Sequence, residues 1–270
     1  MSEHEIVSRV MSGWFDTHCH PELENLAQEI DEAKSAGLGG FIVVGTDLGT
    51  SERAVRFAEH AEAHSDSFIA RATIGMHPHD AKDATSAVFE DFRDLLRQDT
   101  SHRIVGVGEC GLDYFYDHSP RDQQRQAFVR QIELAREWDR TLVIHTRDAW
   151  SDTFEIMESE ELPNRIVFHC FIGGEEEMRR AVEIGAFISF SGIVTFKNSE
   201  ALRSVARSVP LGQLLVETDA PYLAPVPLRG TKNAPRNVVV TGEFVAQLRE
   251  IESEALKLLT WENALRAFAI

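Results

Sequence analysis

His18 and His20 stand one residue apart in "WFDTHCH" (14–20), behind an apolar opening and just before Pro21. On an extended strand alternate side chains share a face, so the two imidazoles aim at one point with Cys19 opposite. Imidazoles converging in this way suit a metal ion better than a packed core. An HxH pair alone is a weak signal, equally compatible with a polar loop after a strand. Its weight comes from company. Glu109 in "RIVGVGECGLDY", His145 in "TLVIHTRDA", His169 in "RIVFHCF" and Asp219 in "QLLVETDAPYL" each close a short apolar, β-rich run. One histidine at a strand end is usually a satisfied core residue, but six ligand-type residues in one phase are a pattern. Four imidazoles and two carboxylates exceed the needs of one tetrahedral zinc and match two ions that share a carboxylate.

The elements that must position these residues are legible as alternation. The β-rich runs are 14–20, 40–46, 68–76, 103–109, 141–146, 165–170, 186–192 and 213–219. Between them lie amphipathic stretches at 22–36, 50–63, 85–98, 120–138, 149–158, 174–184 and 198–208, with one or two further helices over 238–266. Runs such as "FIVVG" are apolar on both faces, as strands covered on both sides require. Eight strand–helix alternations predict an α/β protein, a single (β/α)₈ TIM barrel, with the six residues at the C-terminal ends of the strands, where barrel active sites are built. An open doubly wound sheet is the competing architecture, but no GxGxxG turn opens its first helix. Residues 1–13 read as a leader, flexible or a surface strap, and 14–270 as the barrel domain.

Composition narrows the class. The chain has 270 residues, is 43% hydrophobic and carries a net charge of −17. That balance excludes a broad basic groove for duplex nucleic acid, while a cluster of metal ions can still reverse the field inside a pocket. No apolar run approaches membrane-spanning length, and the first residues lack the apolar core of a secretory signal. Three cysteines argue against a disulfide framework and fit a reducing, cytoplasmic setting. Cys19, Cys110 and Cys170 each neighbour a candidate ligand, and on strands they face away from the mouth, as small buried hydrophobes.

The set "DTHCH", "GMHPH", "GECGLDY", "VIHTRDA", "FHCFIGG" and "ETDAPYLAPVPLRGTKNAPRNV" resembles the TatD family of metal-dependent deoxyribonucleases, in order and spacing, from about Phe15 to Phe268. The resemblance implies an amidohydrolase-like barrel with a mono- or dinuclear metal centre. It implies His18 and His20 on the more buried ion, Glu109 shared by both, and His145 and His169 on the second. Asp219 is implied as a ligand of the first ion that also takes the proton from the attacking water. It sets His77, in "GMHPH", near the substrate phosphate, with a supporting hydrogen bond as the equal alternative. Pro21 and Glu22 depart from the leucine and acid that usually follow HCH in the family, and the leader is longer than usual.

From the residues themselves, Arg147 is suited to hold a phosphate with its planar fork or to pair with Asp148. In the proline-rich segment after the last strand, Tyr222 is suited to stack on a base and Arg229 to meet phosphates. The function expected is hydrolysis of phosphodiester bonds in DNA, from the 3′ end of single strands and extending to RNA, by a monomer. A metal-dependent ester or amide hydrolase, such as a D-aminoacyl-tRNA deacylase, is the alternative. Four imidazoles favour two bound Zn, Mn, Co or Ni ions, with Mg or Mn as the activator in an assay.

Overall fold

A computed structural model describes residues 13–270. The expected leader falls, apart from Gly13, outside the described residues. Eight parallel strands pair in sequence order. They are β1 (Trp14–Cys19), β2 (Leu38–Val44), β3 (Ile69–Ile74), β4 (Ile104–Asp113), β5 (Thr141–Arg147), β6 (Ile166–Phe168), β7 (Phe187–Phe190) and β8 (Leu214–Val216). Helices α1 (Leu26–Ser35), α2 (Leu48–His64), α3 (Ser86–Gln98), α4 (Arg121–Glu137), α5 (Trp150–Ser159), α6 (Glu175–Glu183) and α7 (Glu200–Ser208) alternate with them. Two more, α8 (Val238–Leu248) and α9 (Ser253–Phe268), end the chain. The expected (β/α)₈ barrel is the fold. The first expected helix, 22–36, begins instead as a 3₁₀ turn at Leu23–Asn25.

Two apolar clusters follow from the alternation of strand side chains. The larger lies between barrel and helices and holds Cys19, Phe41, Cys110, Ile144 and Phe168. The smaller fills the barrel interior with Phe15, Ile42, Val143, Val167 and Leu215, and α9 closes its lower end with Trp261 and Phe268. Burying an aromatic side chain of this kind stabilises by about 1.5–3 kcal/mol. Two residues past Val143, Val167 and Leu215 on the same phase come His145, His169 and Glu217. Strand periodicity thus carries the interior face directly into the polar mouth.

The barrel closes between β8 and β1 just where the candidate ligands emerge. The Asp219 N–H donates to the His18 carbonyl at 2.9 Å and the His20 N–H to the Ala220 carbonyl at 2.8 Å. Below them the fully buried Asp16 carboxylate accepts from the Thr218 N–H at 2.8 Å, the His18 N–H at 3.2 Å and the Thr218 hydroxyl. One side chain therefore fixes His18 relative to Asp219 across the seam.

Candidate metal centre

Glu109 organises the site. It lies on β4 between Gly108 and Gly111, which have φ of +140° and +127°. A Cβ at those glycines would come within 2.4 Å of the Val143 carbonyl oxygen and 2.1 Å of the His145 carbonyl oxygen. Only glycine lets β4 run this close to β5, so Glu109 is presented at the centre of the mouth. Its carboxylate divides its oxygens between two groups of histidines. Oε2 stands 3.3 Å from His18 Nε2 and 3.9 Å from His20 Nε2. Oε1 stands 2.8 Å from His169 Nε2, 3.0 Å from His145 Nδ1 and 3.3 Å from His77 Nε2. Asp219 Oδ1 completes the first group, 3.5 Å from His20 Nε2 and 3.9 Å from His18 Nε2. The six expected residues, His18, His20, Glu109, His145, His169 and Asp219, therefore converge on one point of the barrel mouth.

The outer ring nitrogens explain why the inner ones face Glu109. His20 Nδ1 donates to the Val44 carbonyl at 3.0 Å. His145 Nε2 lies 3.1 Å from Asp113 Oδ2, and His169 Nδ1 lies 3.4 Å from Glu217 Oε1. The partners of His20 and His145 fix tautomer and orientation and leave the inner lone pair aimed at a ligand, whereas His169 Nδ1 makes no hydrogen bond. His18 is fully buried, and neither of its ring nitrogens has a hydrogen-bond partner. Unpartnered buried polar atoms are costly, and here Nε2 points at the oxygens of Glu109 and Asp219. His18, His20 and Glu109 offer atoms all within 4.8 Å of one another, and so do His77, Glu109 and His145. The donor set fits divalent cations.

The electrostatics of the cluster are those of mutually dependent charges. Burial alone would push the Glu109 carboxyl up, but His169, His77 and His145 together hold it well below the usual carboxylate range. Asp219 is lowered in the same way, by His20 and His18 against the effect of burial. Burial holds His18 and His77 below the usual histidine value. For His145 and His169 the neighbouring carboxylates outweigh burial and raise the imidazoles, His169 strongly.

The cluster floors a cavity of about 740 Å³. Its lining includes polar Thr46, His77, His79 and Arg147 and apolar Ile172, Ile193 and Leu223 beside Tyr222. Tyr222 lines the mouth as expected. His77, expected beside the substrate, stands among the candidate ligands. Arg147 lines the cavity, but among the described residues it makes no ion pair with Asp148 or a helix acid; its guanidinium lies 3.9 Å from the centre of the Phe115 ring. Arg229 does not line the cavity and instead covers Phe196 at 3.7 Å. Cys170 corrects an expectation. It lines the mouth rather than facing away, because β6 ends at Phe168 and the chain turns with φ of 42° at Cys170, which breaks the alternation. Cys19 and Cys110 are buried behind their neighbours as expected.

Sequence reasoning missed the supporting acids. Asp113 Oδ2 receives both His145 and, at 3.0 Å, His79 Nε2. Glu217 accepts the Cys170 N–H at 2.7 Å besides facing His169. Their signal was present: Glu217 follows the interior Leu215 in phase, and β4 continues past Glu109 to Asp113.

An eight-stranded parallel barrel with histidines and carboxylates gathered at its C-terminal mouth is the architecture of a metal-dependent hydrolase. The family model for TatD related DNase matches residues 15–269, and the chain belongs to the TatD family. It is 38% identical over 262 residues to the "uncharacterized metal-dependent hydrolase YabD" of Bacillus subtilis, covering 95% of this chain and 99% of that one. It is 35% identical over 259 residues to the "uncharacterized metal-dependent hydrolase YcfH" of Escherichia coli, covering 94% and 95%. The crystal structure of YJJV, a TatD homologue from Escherichia coli, superposes with a TM-score of 0.88 at 26% identity, over 96% of this chain and 99% of that one. Among the described residues no helix is long and apolar enough to cross a membrane.

Proposed function

We propose that the protein hydrolyses phosphodiester bonds of DNA, removing nucleotides from the 3′ end of single strands and acting also on RNA, with two divalent ions at Glu109. The observation that carries this reading is the division of the Glu109 oxygens, Oε2 toward His18 and His20 and Oε1 toward His145 and His169. His18, His20, Glu109 and Asp219 would hold one ion, and Glu109, His145 and His169 the other, with His77 within reach of the second. Bound there, divalent ions supply positive charge for a phosphodiester and lower the pKa of water to about 7. Nitrogen-rich ligands favour Zn, Mn, Co or Ni, with Mg or Mn as activator.

The chain's own residues supply the rest. Asp219, ionised beside His20 and partly open to the cavity, accepts the proton of the attacking water. The water oxygen bonds to phosphorus, the P–O bond to the neighbouring sugar breaks, and the proton taken up by Asp219 passes to the departing oxygen. Arg147 in the cavity lining receives a phosphate oxygen. Tyr222 and its apolar neighbours receive the base. A cytoplasmic monomer accords with the three free cysteines and the acidic surface.

The description of the matching family, TatD related DNase, supports DNA over other esters. The metal-loaded protein is tested on 5′-labelled single strands, closed single-stranded circles, aryl esters and aminoacyl-tRNA. Stepwise shortening of linear strands with intact circles is expected. Efficient cutting of circles excludes a strict exonuclease, and turnover of aminoacyl-tRNA alone replaces this reading with ester hydrolysis.

A further inference from the structure

Directly after β4 the chain exposes two large rings beside the cavity. Phe115 is 55% exposed and Tyr116 50%. Large apolar rings held in water at a cavity rim call for an occupant. These rings are also braced. Asp113 Oδ1 accepts the N–H groups of Phe115 and Tyr116 at 3.0 and 2.9 Å. The Arg147 guanidinium lies 3.9 Å from the Phe115 ring centre and 4.7 Å from that of Tyr116. The His118 ring is parallel to Tyr116 within 9°, at 5.6 Å. The two rings stand nearly perpendicular, at 88°.

We infer that Phe115 and Tyr116, with Arg147 beneath them, form a shelf on which an unpaired base of the substrate strand stacks while another nucleotide occupies the metal site. This rests on the proposed action on single strands and extends it by a second nucleotide subsite. The charge distribution favours it. The chain carries a net charge of −17, and among the described residues Arg147 is the only arginine or lysine lining the cavity. Electrostatic attraction therefore has little with which to grip a strand outside the metal centre. Stacking does not depend on net charge and is indifferent to sequence. A preformed shelf also lowers the ordering cost of binding. The connection to the metal site is direct, because Asp113 orients the shelf with one oxygen and His145 with the other.

The test places a single abasic nucleotide at successive positions of short strands and measures KM and kcat of the metal-loaded enzyme. At one position beyond the scissile bond the abasic change should raise KM roughly 10-fold, and Tyr116→Phe should retain that penalty. In Tyr116→Ala the intact strand should bind as weakly as the abasic one, so that the penalty disappears. Quenching of 2-aminopurine at the same position is read in parallel; it should occur with the wild type and be lost in Tyr116→Ala. A Tyr116→Ala protein that keeps the abasic penalty and the quenching overturns the inference. So does one whose only change is in self-association, which would assign the rings to a protein contact. Failure of the wild type to cut any strand would refute the proposed reaction instead, and quenching would still decide the shelf.

Discussion

Asp16→Ala removes the acceptor that joins β1 to β8, and its cost follows from the bonds it makes. The buried amides of Thr218 and His18 lose their partner, and each buried donor left unpaired costs about 1–3 kcal/mol. Against this, burial pushes the Asp16 carboxyl well above the carboxylate range, so the acid itself is held at a cost near neutral pH. A net loss of about 2–4 kcal/mol is expected, or roughly 5–15 °C in Tm for a domain of this size. Asp16→Asn should lose much less, since its oxygen still accepts both amides and its NH₂ can donate to the Thr218 hydroxyl. The pH dependence separates the two effects. Folded Asp16 keeps its proton to higher pH than the unfolded chain, whose aspartates titrate near about 3.9. Wild-type stability therefore falls as pH rises from that value to the raised folded one, then levels off. Asparagine lacks this loss, so Asp16→Asn should gain on the wild type across the same window. Denaturant melts at several pH values, with chelator present, read the difference. An alanine variant within about 0.5 kcal/mol of wild type, or an asparagine variant that loses ground as pH rises, would refute the reasoning.

Asp219→Asn keeps the shape and an oxygen ligand but cannot act as a base; kcat should fall by ~10²–10⁴ with strand binding retained, measured by steady-state cleavage and fluorescence binding. A wild-type rate would move the base elsewhere, with His77 next to be tested. Asp113→Ala should free the His145 ring and weaken metal retention roughly 10- to 100-fold, read by competition with a chromophoric chelator. Tyr114, which donates to Asp152 at 2.7 Å, is held protonated up to about 12 by burial and by that carboxylate. One of the three tyrosines should therefore ionise late in an absorbance titration. Since unfolded tyrosines ionise near about 10, this group's stabilisation should be lost as pH rises from there toward 12, and a Tyr114→Phe protein should lack the late step.

The barrel and the ligand set were legible because both depend on period-2 alternation along strands. Apolar interior positions such as Val143 and Val167 lead in phase to His145 and His169, so a reader following the pattern reaches the mouth. The same rule failed where the chain leaves the ladder. Cys170 sits in a left-handed turn, and no strand periodicity applies to it. Asp113 lies beyond the apolar run 103–109, and the glycines that let β4 run on beside β5 carry no side chain to mark the continuation. His79 meets Asp113 between strand ends distant in sequence, and spacing alone does not reveal which side chains meet. Arg229 was assigned to the mouth by its charge, and its stacking on Phe196 is decided by loop packing.

The central claim is that one carboxylate, Glu109, serves two metal positions. Metal content of protein reconstituted with Zn or Mn and freed of excess ion tests it most directly. Wild type should hold two ions per chain, His145→Ala about one, and Glu109→Ala close to none, with folding of each checked by circular dichroism. Two ions retained by a folded Glu109→Ala protein, or saturation of the wild type at one, would contradict the account.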